Sequence, residues 1–157
     1  MSDETRAGGK RRPAFFLTLM ALAAFAASCY SSSYPKEMAA NVDLISGLSD
    51  KLADFCTAGF TIGDRQISSE EMGEFYYALK KARAYAQMTR SHADRASYRD
   101  FTTMLDRYAA FVRSADEYRL STHADSATLK GLLEQHKAVE QAASQVRTDL
   151  ARENGSD

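Results

Sequence analysis

The chain has 157 residues, 45% hydrophobic and 26% charged, with 20 basic and 21 acidic side chains giving a formal net charge of −1. That balance lacks the basic footprint of a nucleic-acid binder, so nucleic acid is not an expected partner. Two cysteines, Cys29 and Cys56, are too few for a disulfide framework.

The chain opens with a charge-then-grease pattern. Lys10, Arg11 and Arg12 precede an uncharged run from Ala14 to Ser28 that ends at Cys29. Basic residues before an apolar run favour the cytoplasmic side of a membrane, which sets the run up for export. From Ala14 to Ala27 the run has about fourteen residues, spanning only ~21 Å of a ~30 Å hydrocarbon core as a helix. This is too short for a comfortable transmembrane helix. The small residues Ala26, Ala27 and Ser28 suit the narrow site of a signal peptidase.

These residues resemble a bacterial lipoprotein signal, in which a Leu-like residue and two small residues precede the cysteine that receives lipid. Ala27, Ser28 and Cys29 match that pattern, and Ala26 stands where the family has Leu. The resemblance implies cleavage between Ser28 and Cys29, a diacylglycerol thioether on Cys29, and an added N-acyl (palmitate-type) chain. Each buried methylene contributes ~0.8 kcal/mol, and stable anchoring takes at least two chains. Tyr30, rather than Asp, follows the cysteine, which by the same resemblance implies the outer membrane, facing the periplasm. The likeness ends at about residue 30 and carries an address, not an activity.

Removing residues 1–28 takes away four basic residues (Arg6, Lys10, Arg11, Arg12) and two acidic ones (Asp3, Glu4), leaving 16 basic and 19 acidic residues. What remains has the size of one compact domain. With Cys29 acylated, no intramolecular disulfide is open to Cys56. It falls on an apolar stripe and reads as a buried thiol acting as a small hydrophobe.

Residues 29–35 read as a lipidated tether, 36–153 as a helical bundle and 154–157 as a disordered tail. Pro35 suits a first helical turn. A first helix is expected over 36–58, where Met38, Val42, Ile45, Leu48, Leu52 and Phe55 recur at three- and four-residue steps, with Gly59 ending it. Gly63-Asp64 marks a turn in the connection. Ser68 with Glu71 forms a capping box, and Ile67 with Met72 a hydrophobic staple, opening a second helix through Phe75, Leu79, Ala82 and Ala86. Residues 89–97 hold no large hydrophobe, and Ser91 with Asp94 or Ser97 with Asp100 offers a new cap, so a bend is expected there. A third helix carries Tyr98, Phe101, Leu105, Tyr108, Val112, Ala115 and Tyr118. Thr122 with Asp125 offers the cap of a fourth, which carries Leu129, Leu132, Leu133, His136, Val139, Ala143, Val146 and Leu150. The expected fold is all-α, an up-down antiparallel four-helix bundle; the competing reading joins helices two and three into one rod.

No reaction is legible. The chain has no Glu-x-x-His pair of the kind that builds di-metal bundles, no Cys-x-x-Cys-His, no phosphate-cradling glycine loop and no Gly-x-Ser-x-Gly turn. No catalytic residue, metal ligand or cofactor is therefore assigned, and His136 reads as a boundary residue hydrogen-bonding a neighbouring helix. Tyr77, Tyr85, Arg99 and Arg107 are the expected partner face, because Tyr and Arg are enriched at binding hot spots. The expected function is a non-catalytic, membrane-anchored envelope lipoprotein serving as an interaction or scaffold module, with an envelope protein or a second copy as partner. The alternative is a small-ligand carrier with a pocket between helices lined by Met38, Phe75, Tyr108 or Leu133.

Overall fold

The computed structural model describes the backbone of residues 13–62, 65–121 and 125–155, and side chains from residue 33 onward, Ile62 excepted. The chain divides into two compact units, Met1–Tyr34 and Pro35–Asp157. Four helices account for nearly all the described structure: α1 (Pro13–Thr57), α2 (Ser69–Met88), α3 (Ala96–Leu120) and α4 (Ser126–Asn154), with a short hairpin of β1 (Thr61–Ile62) and β2 (Arg65–Gln66) between α1 and α2. The fold is all-α, a four-helix bundle. Among the described residues, no helix is long and apolar enough to cross a membrane.

Helix α1 does not begin at residue 36 as expected. It starts at Pro13, so Pro35 lies inside it rather than in its first turn, and residues 29–35 are helical backbone rather than an irregular tether. From Pro35 onward its buried positions are Met38, Val42, Ile45, Ser46, Ser49, Leu52, Ala53 and Cys56. Those three- and four-residue steps make one stripe. The end is a Schellman motif: Gly59 N–H donates to Cys56 O at 3.2 Å and Phe60 N–H to Phe55 O at 2.7 Å, with Gly59 at φ 63°. Phe60 is also left-handed, at φ 57°, a conformation a bulky residue adopts only when its surroundings hold it. Its ring is buried, 6.0 Å from that of Tyr118, and its carbonyl accepts from Ile67 N–H at 2.9 Å. The expected turn residues Gly63 and Asp64 lie outside the described residues.

Helix α2 starts where expected. Ser68 Oγ accepts from Glu71 N–H at 3.1 Å, while Ser68 N–H donates to the Glu71 carboxylate at 2.6 Å, and both staple residues, Ile67 and Met72, are buried. The rod ends at Met88. Thr89, buried, donates its hydroxyl to Tyr85 O, and a 3₁₀ turn over Arg90–His92 reverses the chain, so α2 and α3 are separate helices.

Neither expected side-chain cap opens α3. Instead Ser97 donates both its N–H and its hydroxyl to the carboxylate of Glu153, at 3.0 and 2.7 Å. The cap arrives from the last turn of α4, which no local pattern could show. Asp125, expected three residues inside α4, is itself the N-cap and accepts from Thr128 N–H at 2.6 Å; Thr122 lies outside the described residues. Asn154, expected in a disordered tail, is the last residue of α4.

Paired contacts fix the topology. Asp43, Ser46 and Ser49 on α1 meet Arg147, Glu140 and His136 on α4, so partner numbers fall as α1 advances. The same inversion relates Ser97, Arg107 and Ser114 of α3 to Glu153, Ala138 and Gln135 of α4. It also relates Tyr76, Arg83 and Ala86 of α2 to Asp116, Asp106 and Tyr98 of α3. Phe55 and Phe75 close the ring between α1 and α2, meeting edge to face at 6.1 Å. Helix α3 buries a wider face than its sequence stripe, adding Met104 and Phe111, because it packs on both α2 and α4.

The carboxyl of Glu71 is held down, from 4.5 to about 2, first by Arg65, which donates to both its oxygens at 2.8 Å, and then by Ser68 N–H. A folded value below the unfolded one means the carboxylate favours the fold above the ordinary glutamate range, and that this contribution disappears as pH falls toward 2. We expect a carbon-detected titration of Glu71 to show a midpoint near 2, moving upward in Arg65→Ala. Removing the cap with Ser68→Ala should lower unfolding stability by about 1 kcal/mol in urea melts.

Candidate functional site

The expected sites fare unequally. Ser28 and Cys29 lie in the helical backbone of α1, and their side chains are outside the described residues. Tyr77 is exposed on α2, at 63%, with Lys81 Nζ 5.7 Å from its ring centre. Tyr85 does not belong to a surface. It is 6% exposed and its ring meets Phe101 edge to face at 6.0 Å. At a 3.6-residue period, Tyr85 follows Ala78 and Ala82 onto the buried stripe.

Arg99 and Arg107 are exposed as expected, but each guanidinium already serves the fold. Arg99 donates to Asp94 O at 2.7 Å at the start of α3, and Arg107 crosses to Ala138 O on α4 at 2.9 Å. The four residues therefore do not form one face. Cys56 is buried, and burial pushes its thiol up to about 12, leaving it protonated and unreactive.

A cluster that the sequence reading did not assemble lies on the α1–α4 seam. Ser46, Ser49 and Asp50 stand three and four residues apart on α1, and His136 and Glu140 four apart on α4, so each set shares one helix face. Ser46 Oγ donates to Glu140 Oε2 at 2.7 Å. Ser49 Oγ lies 3.0 Å from His136 Nδ1, and Asp50 Oδ1 lies 3.4 Å from His136 Nε2. Phe111 backs the imidazole, ring centre to ring centre 6.0 Å. One donor atom each from Asp50, His136 and Glu140 falls within 4.8 Å of the others.

The expectation that His136 hydrogen-bonds a neighbouring helix is met, through Ser49. Glu134, two residues before His136, accepts instead from Lys137 at 2.9 Å. The signal for Glu140 was its four-residue step from His136; the partner Asp50 had none, being 86 positions away in the chain.

Ser49, His136 and Asp50 are the residue types of a nucleophilic triad, but the geometry does not serve that chemistry. Ser49 is 0% exposed, so no substrate atom can reach its hydroxyl. What the cluster offers is a set of oriented N and O donors at the edge of solvent, with Asp50 62% exposed.

A second acidic pair joins α3 to α4. Burial raises the Asp100 carboxyl, and its hydrogen bond to Asp149 raises it further; Asp149, fully buried, is lowered by hydrogen bonds from Gln145 and then Asp100. The opposite directions of the two carboxyls reflect their interaction across the α3–α4 seam. No family model, curated protein or solved structure matches this chain.

We expect Tyr85→Ala to destabilise the fold by about 3–5 kcal/mol, as other large aromatic truncations in cores do. Tyr77→Ala should stay within about 0.5 kcal/mol, the range of exposed positions, both read by urea unfolding. Iodoacetamide at pH 8 should label Cys56 only after denaturation.

Proposed function

We propose that this protein is a lipid-anchored bacterial envelope protein that presents a non-catalytic helical bundle for contact with another envelope protein or a second copy. The observation that supports it is the order of the first residues: three basic side chains, an apolar run too short to span, small residues, then Cys29. The physics runs from there to location. The run is long enough to be recognised for export and too short to hold the protein, so retention falls to acyl chains on Cys29. Tyr30 favours the outer membrane, facing the periplasm.

The bundle supports an interaction role by its surface and its filling. Tyr77 remains exposed beside Lys81, a rigid amphipathic ring suited to a contact. The carrier alternative is not favoured. Met38, Phe75 and Tyr108 are fully buried in the core, and Leu133 is half-buried. A depression of about 430 Å³ does exist between the end of α3 and the start of α4, edged by Glu117, Tyr118, Gly131 and Gln135. It is an open surface feature.

Mass spectrometry of the membrane-purified protein tests the anchor. The expected species lacks residues 1–28 and carries acyl mass on Cys29. An intact N-terminus, or a Cys29→Ser variant that matures normally and survives a high-salt carbonate wash on membranes, would refute the reading.

A further inference from the structure

We propose that Asp50, His136 and Glu140 form a binding site for a divalent cation of the zinc type, seated on the α1–α4 seam and held by His136 Nε2, Asp50 Oδ1 and Glu140 Oε1. Two independent features point to it. The first is the separation of the donors. Asp50 Oδ1 and His136 Nε2 are 3.4 Å apart, longer than the 2.7–2.9 Å of a charge-assisted hydrogen bond. It equals the spacing of about 3.4 Å between two ligands that each lie about 2.0–2.1 Å from a tetrahedral ion.

The second is an orphaned oxygen. Glu140 Oε1 is buried and accepts no hydrogen bond among the described residues, although its sister oxygen is fully engaged by Ser46. A buried carboxylate oxygen without a partner is a costly feature unless something positive meets it. The face of His136 that points toward Asp50 lies on the same seam, four residues before Glu140 on α4.

The surrounding groups are those a metal site needs. With its proton on Nδ1, directed at Ser49 Oγ, the imidazole turns its Nε2 lone pair outward. Ser46 fixes the Glu140 carboxylate so that Oε1 stays available. Ligands and their supports stand on two packed helices rather than on loops, which holds the geometry. Two carboxylates match the charge of a divalent ion, and the imidazole favours zinc, copper or nickel over calcium or magnesium. Asp50 is 62% exposed, so the ion enters from solvent and water completes its coordination. The bound ion clips the first helix of the bundle to the last. The site stands whether or not Cys29 carries lipid.

The test uses the full chain, purified in detergent and stripped with chelator, titrated with Co²⁺ and followed by visible absorption. One equivalent should produce the intense bands of a tetrahedral N/O site, and Zn²⁺ should abolish them stoichiometrically and raise the melting temperature. Asp50→Asn, exposed and outside the core, keeps the fold and should weaken binding at least about tenfold, as should the supporting change Ser46→Ala. His136→Gln and Glu140→Gln should lose the bands. Absence of a saturable 1:1 spectrum overturns the proposal, and so does binding that Asp50→Asn and His136→Gln leave unchanged, which would put the ion elsewhere. The Zn²⁺-dependent rise in melting temperature should be smaller in Asp50→Asn at equal Zn²⁺ concentration, while its helicity by circular dichroism matches the parent.

Discussion

The bundle depends on α4 reaching two neighbours at once. Val139, Ala142, Ala143, Val146 and Leu150 are buried along it. Its hydrogen bonds run to α1 at Asp43, Ser46 and Ser49, and to α3 at Ser97, Arg107 and Ser114. Each fully buried large apolar side chain contributes about 1.5–3 kcal/mol, and the stripes of α1 and α3 bury theirs only because α4 closes the ring. Closure between the chain's first and last helices is a long-range contact whose entropic cost only burial of this extent offsets.

Polar atoms then set the register that apolar burial leaves loose. Leucine and methionine stripes tolerate a slide of one turn; the Ser46–Glu140 and Ser97–Glu153 bonds do not, because a slide strands buried or half-buried oxygens. Asp100 and Asp149 interact across the same end of the α3–α4 seam as Ser97 and Glu153. Fold and candidate site are therefore coupled. The contacts that align α1 with α4 also gather Asp50, His136 and Glu140, and an ion at that point would add to the alignment that creates its site. Tyr77 stands apart from this seam, an exposed ring on α2.

The helices were legible where the signal was local. The capping box at Ser68 and Glu71, the stop at Gly59 and the bend after Met88 each involve atoms within a few residues, so spacing alone reveals them. Tyr85 misled because aromatic amphipathy reads equally well as rim or core, and only the position of α3, with Phe101 against its ring, decides. The cap of α3 was misassigned for the same reason: Ser97 looked like an N-cap acceptor for its own helix, yet it donates to Glu153. Phe111 and Met104 were missed because a helix with two packing neighbours buries a wider arc than one amphipathic stripe.

By itself the sequence determined the helical class, the breaks between rods, the apolar stripes and the order of basic, apolar and small residues that ends at Cys29, since all of these follow from periodicity, breakers and charge order along the chain. Tertiary structure alone decided which helices are neighbours, which aromatic rings are buried, and which polar side chains meet. The reason is that a 3.6-residue period places a side chain on a face but says nothing of what faces it. Asp50 and His136 are adjacent in space only because α1 and α4 run antiparallel in one register, a fact set by the summed packing of four helices and written in no short segment of the chain.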